Sequence, residues 1–110
     1  MHLRFASFLA MVTVSFSASA TQAQQCSAQA VSQARKLLAF HFDDSGPISI
    51  EKQVRELPPI PNPANAKQKF TVLEVWGHVY KGQYRMRFIY ARMRQDCILM
   101  GQEIVEYAKL

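Results

Sequence analysis

Residues 70–107, FTVLEVWGHVYKGQYRMRFIYARMRQDCILMGQEIVEY, decide the fold. Phe70 to Tyr80 is rich in β-branched and aromatic residues, and so is Tyr84 to Met93. Cys97 to Tyr107 is a third run of the same kind. Lys81-Gly82 separates the first two runs and Arg94-Gln95-Asp96 the last two. Three such runs joined by tight turns predict an antiparallel meander. With Tyr80 opposite Gln83, paired positions place Val79 against Tyr84, Gly77 against Met86, Val75 against Phe88 and Leu73 against Tyr90. Every pair on that face is apolar or glycine, whereas a slip by one residue would turn each side chain to the opposite face.

Upstream, Cys26 to Phe42 carries apolar residues at helical spacing, with Val31, Ala34 and Leu38 as the stripe, Leu37 and Phe42 widening it, and Ser27 as a cap. Asp43-Asp44-Ser45-Gly46-Pro47 ends it. Ile48-Ser49-Ile50 opens an edge strand that weakly continues to Leu57, although Glu51 to Leu57 fits a helical turn as well. Four prolines between Pro58 and Pro63 exclude a helix or a central strand and predict a stiff extended loop. The expected fold is α+β, with one N-terminal helix packed on a curved antiparallel sheet of three or four strands.

The first 20 of the 110 residues read as a secretory signal peptide: Arg4, the apolar run Phe5 to Phe16, then Ala18-Ser19-Ala20. That run is well short of the roughly 20 apolar residues a spanning helix needs, and no other stretch approaches it. Residues 21–110 then form one domain. Gln24-Gln25 precede Cys26 where a lipoprotein signal has a small residue. Cys26 and Cys97 are the only cysteines, and in an oxidising compartment they read as one disulfide with a separation of 71 residues. In the chain-entropy view it removes roughly 4 kcal/mol of unfolded-state freedom. Without Arg4 the chain holds 12 basic and 8 acidic residues, a net charge of +4. That balance favours polyanions or an anionic envelope component without specifying one.

The second face of the meander carries Phe70, Val72, Glu74, Trp76 and His78, facing Met93, Ala91, Ile89, Arg87 and Arg85 in the same register. Trp76 opposite Arg87 predicts a cation–π contact, and His78 opposite Arg85 predicts like-charge repulsion. On the third strand, Cys97 toward the helix sends Ile98, Met100 and Ile104 to the second face and Glu103 to the helix side; a shift by one reverses this. Either way the face is too apolar for open solvent. Three coverings fit: the Pro-rich loop with the C-terminus, a second copy in a homodimer, or another molecule held by Trp76, His78, Arg85 and Arg87. Trp and Arg are residue types that dominate binding energy at interfaces.

No nucleophile elbow, P-loop or dinucleotide-binding motif is present, so catalysis is the class the residues support least. Glu74 and His78 are four strand residues apart, roughly 13 Å, too far for a dyad. His41 with Asp43 and Asp44 is a weak metal pattern, and neither metal nor cofactor is expected. The arginines at 85, 87, 92 and 94 interleave with Tyr84, Phe88 and Tyr90 as on a nucleic-acid sheet, but the register puts those aromatics on the other face from Arg85 and Arg87, so nucleic acid is not expected.

VLEVWGHVYKGQYRMRFIYA followed by CILMGQEIVEYA resembles small exported proteins of Gram-negative proteobacteria to which no activity is assigned. The resemblance implies export and carries no site residues. The helix-then-meander order is similar to cystatin-like folds, and to outer-membrane assembly lipoproteins, from which the chain departs by lacking a lipobox and a clear second helix. Fold analogy does not establish function. The expectation is a non-enzymatic exported module that binds a protein or an anionic envelope component through the second sheet face, the alternative being a structural homo-oligomer that buries it.

Overall fold

A computed structural model describes residues 10–13, 21–42, 46–80 and 82–107. One helix, α1 (Thr21–Phe42), is followed by β1 (Ile48–Ile50), β2 (Arg55–Asn62), β3 (Asn65–Val79), β4 (Gly82–Met93) and β5 (Asp96–Tyr107). The five strands form one curled antiparallel sheet. β3, β4 and β5 are the meander, and β1 and β2 pair in succession along the free side of β3. The α+β class and helix-first order are as expected, with five strands in place of three or four. Of the expected signal segment only residues 10–13 are described, as exposed coil. Among the described residues no helix is long and apolar enough to cross a membrane.

The helix starts five residues before Cys26, so Ser27 lies inside it and does not cap it. Its buried stripe is Cys26, Ala30, Ala34, Leu37 and Leu38; Val31 is only half-buried. The Cys26–Cys97 disulfide sets this phase by turning Cys26 inward, and positions 26, 30, 34 and 37 then recur at the helical period. Two of the four are alanine, which lets the helix approach closely. Gly77 serves the same approach, since a Cβ there would lie 2.9 Å from a Leu38 methyl and 3.0 Å from one of Ile50. Helix and sheet share a core of Leu37, Leu38, Leu73, Val75, Val79, Tyr84, Met86, Phe88 and Tyr90.

The β3–β4 ladder keeps the expected faces but slides by two residues. Val79 pairs with Gly82, Gly77 with Tyr84, Val75 with Met86 and Leu73 with Phe88. The hairpin therefore closes one residue earlier than Lys81-Gly82, and Tyr80 takes a left-handed φ of 51°. Two contacts explain the slide. Gly82 enters the strand, where the Tyr84 ring lies against its bare α-carbon. Glu74 comes opposite Arg87 instead of Ile89. A 4% exposed carboxylate facing isoleucine would cost several kcal/mol, and facing a guanidinium it is compensated.

The third strand follows neither of the two facings read from sequence. Ile89 pairs with Gly101 and its neighbour Tyr90 with Leu99, so Met100 is an extra residue, a β-bulge. The bulge reverses the alternation. Cys97 and Leu99 face the helix before it, Ile104 faces the helix after it, and Glu103 goes to the outer face.

The Pro-rich segment is a strand and not a loop. Leu57 pairs with Val72 and Ile60 with Phe70, and the register jumps between them where Pro58-Pro59 supply no N–H. Only one flank of β2 is paired, which is where a sheet tolerates proline. Glu51 to Leu57 is neither one continuous strand nor a helical turn. Glu51 donates its N–H to Trp76 O at 2.9 Å, and β2 begins at Arg55.

Tyr90 is fully buried, and its hydroxyl has no hydrogen-bond partner among the described residues. Burial pushes its pKa up from 10.0 to about 12. The fold therefore favours the neutral phenol. That contribution is whole below about pH 10 and is lost as the pH rises toward 12. Tyr90→Phe is expected to raise stability at pH 7 by about 1 kcal/mol, because it deletes an unpaired buried hydroxyl. It should also flatten the fall in stability between pH 10 and 12, as read by urea unfolding across that range; an unchanged alkaline slope would contradict this.

Candidate functional site

The helix covers one face of the sheet. On the other, cross-strand pairing lines up one residue from each of four strands, in the order Arg55, Glu74, Arg87, Glu103. The signs alternate across the whole sheet. Arg87 Nε donates to Glu74 Oε2 at 3.1 Å, and its Nη1 lies 3.6 Å from Glu103 Oε1. Glu74 accepts a second hydrogen bond, 3.0 Å, from Trp76 Nε1.

This charged row divides the outer face. On one side are Leu57, Val72 and Ile89, then Ile60 with Phe70 and Ala91 with Ile98. On the other side the rings of Trp76 and Tyr107 meet at 5.1 Å. Arg85 Nη1 donates to the Tyr107 hydroxyl at 2.8 Å, its guanidinium 5.5 Å from that ring's centre. A depression of about 560 Å³, lined by Glu51, Gln53, Val54, Arg55, Glu56 and Trp76, opens where β1 gives way to β2. It offers two carboxylates, one guanidinium and an indole face.

Trp76, His78, Arg85 and Arg87 thus do share one face, but their contacts differ from those expected. Trp76 stands opposite Arg85, not Arg87, and its ring packs at a tilt against Tyr107. His78 stands opposite Gln83, so the expected repulsion from Arg85 has no source, and its Nε2 lies 3.7 Å from Glu51 Oε1. Both differences follow from the two-residue slide. Arg87 is bound into the fold by Glu74 and is as much a structural residue as a surface one. The Pro-rich segment does not fold over this face, because β2 lies in the sheet, and the chain as far as Tyr107 is strand β5. Residues 108–110 lie outside the described ones.

Sequence reasoning considered Glu74 only as a dyad with His78 and Glu103 only for its facing, and passed over Tyr107. Glu74 was visible as a lone carboxylate inside an apolar strand. The other two depend on the bulge, which no residue pattern announced. Of the metal pattern, His41 is exposed at the helix end, while Asp43 and Asp44 lie outside the described residues. No group of three metal-ligating side chains occurs among the described residues. At the same end Tyr84 has its pKa raised, by burial first and then by the charge of Glu106 and a hydrogen bond to it. The disulfide, with Cα atoms 5.8 Å apart, suits a non-reducing compartment.

No family model matches the chain, and neither the curated proteins nor the solved structures contain a match.

Removing Glu74 tests the charged row. Glu74→Ala leaves Arg87 Nε and Trp76 Nε1 without their acceptor, and is expected to cost about 2 kcal/mol, less than a fully buried pair because Arg87 is partly solvated. Glu74→Gln, which keeps an acceptor oxygen, should cost less. Equal losses in urea unfolding would show that the side chain's volume, not its hydrogen bonds, matters.

Proposed function

We propose that the protein is an exported, non-enzymatic binding module that presents the outer sheet face to a partner protein. The observation that carries this reading is the exposed margin of that face: its middle, Phe70, Val72, Glu74 and Ala91, is buried, and the side chains around it are not. Among the described residues no second layer covers it, while Met93 (58% exposed), Met100 (56%) and Tyr107 (41%) stand out from it with Ile60, Ile98 and Val105. Apolar side chains beside a packed Trp–Tyr pair and arginines are what protein interfaces are made of. Export is supported by the signal-like N-terminus and by the disulfide, and agrees with the resemblance to exported proteobacterial proteins.

A protein fits this face better than an anionic envelope component. Arg87 lies between two carboxylates and Arg85 is turned onto Tyr107, so the chain's positive charge is not displayed here as an anion site. The alternative, a structural homo-oligomer, would use the same face against a second copy.

A photo-reactive side chain placed at Met93 or Met100, in the cells that make the protein, is expected to form the same heterologous adduct from both positions. The same group at Ser32, on the exposed side of the helix, should form none. Trp76→Ala should weaken the adduct while far-UV circular dichroism stays unchanged. Adducts with a second copy of the chain would favour the homo-oligomer, and the absence of any sheet-face adduct would overturn the reading.

A further inference from the structure

The two edges of the sheet are built differently. Along β3, the outer strand is interrupted after Ile50 and again at Pro58-Pro59, and Pro61 follows. Interruptions and prolines are the devices that keep an edge from pairing with another chain. At the other edge, β5 runs for 12 residues with no proline, lysine or arginine, and among the described residues pairs only with β4.

Ladder parity tells which backbone groups face outward. Met93 and Asp96 close a two-residue turn and bond to each other, so Cys97 turns away from β4. Its carbonyl does face outward, where it accepts a 2.9 Å hydrogen bond from Gln29 Nε2. Beyond the bulge the same parity turns the N–H and C=O groups of Gln102, Ile104 and Glu106 outward, with no strand beside them.

The helix packs mainly on β3 and β1, runs in the same direction as β5, and reaches this edge at three places. The disulfide joins Cys26 to Cys97, Gln33 bonds Gln102 at 3.1 Å, and Phe42 lies with Ile104 further on. Between helix and edge are two hollows. One, about 320 Å³, is lined by Gln33, Lys36, Leu37, Phe40 and Gln102. The other, about 170 Å³, is lined by His41, Phe42, Tyr84, Ile104 and Glu106. They meet the edge at Gln102 and at Ile104, two residues apart, which is the spacing of same-side side chains along a strand. Phe40, 83% exposed, overhangs the first.

We infer that the β5 edge is a strand-addition site for an extended segment of another protein. Alternate apolar side chains of that segment enter the two hollows, and lysines or arginines between them lie on the outer side near Glu103. Charge decides the occupant. β5 carries Asp96, Glu103 and Glu106 and no cation, in a chain of net charge +5. A second β5 strand would bring the carboxylates of the two copies near one another, whereas a basic segment is complementary. This inference stands apart from the outer-face reading, because it concerns backbone pairing at the edge and side chains under the helix.

The probe is a blocked seven-residue peptide alternating lysine and valine, added to the oxidised protein. At saturation it should slow amide hydrogen exchange at Gln102, Ile104 and Glu106 by tenfold or more, and a glutamate–valine peptide should not. Phe40→Asp, at a site exposed enough to leave the fold intact, is expected to weaken binding about tenfold. Gln102→Pro removes one outward N–H and should abolish binding. Three results would overturn the inference: peptide binding without protection of those amides, equal binding to Phe40→Asp, or protection of the edge by a second copy before peptide is added. Adducts at Met100 that survive Gln102→Pro would leave the face reading standing while the edge inference fails.

Discussion

A buried carboxylate sets the register of the sheet. Glu74 sits in the middle of the longest strand among Val72, Leu73 and Val75, where an unpaired negative charge would be untenable. Arg87 must come opposite it, which slides the β3–β4 hairpin by two residues from the pairing that apolar matching suggests. The same demand extends sideways. The bulge at Met100 is what brings Glu103 beside Arg87 while returning Ile104 to the core. The Glu74–Arg87–Glu103 contacts thereby hold β3, β4 and β5 in relative position.

The second constraint is cover. One helix of 22 residues is the only layer described over a five-stranded sheet, and it is held at β5 by the disulfide and two glutamine contacts. It shields the face with Leu73, Val75, Met86 and Phe88. The other face has the charged row and the tilted Trp76–Tyr107 pair as its fixed parts; Phe70, Val72 and Ala91 are buried on it, while Met93, Ile98, Met100 and Val105 are left in solvent. The apolar character of that face therefore needs an explanation outside the helix–sheet core, and the prolines of β2, which were candidates to cover it, are spent on closing an edge.

The class of fold was legible because its signals are local and redundant. Three β-rich runs, two turns and a helical stripe each point the same way, and face parity survives an error of two in register. The disulfide was legible because there are only two cysteines. What was not legible depends on non-local balance. Apolar matching alone scores Val79 against Tyr84 as well as against Gly82, and it takes the burial of Glu74 and the seating of the Tyr84 ring on Gly82 to separate the two. The bulge leaves no residue signature in Ile98-Leu99-Met100-Gly101 beyond the glycine. The edge strand at Pro58-Pro59 was hidden because proline excludes central pairing but permits pairing on one side. Trp76, His78, Arg85 and Arg87 were placed on the right face, and their partners were misassigned for the same reason as the register.

The margin of the outer sheet face, around Met93 and Met100, stands open in the free protein. Hydroxyl-radical footprinting of the oxidised chain, read by mass spectrometry at its methionines, tests it directly. Met93 and Met100 on the open side should oxidise rapidly, and Met86, buried under the helix, should be protected. Protection of Met93 and Met100 equal to that of Met86 would contradict the account, since it would mean that this margin is already covered.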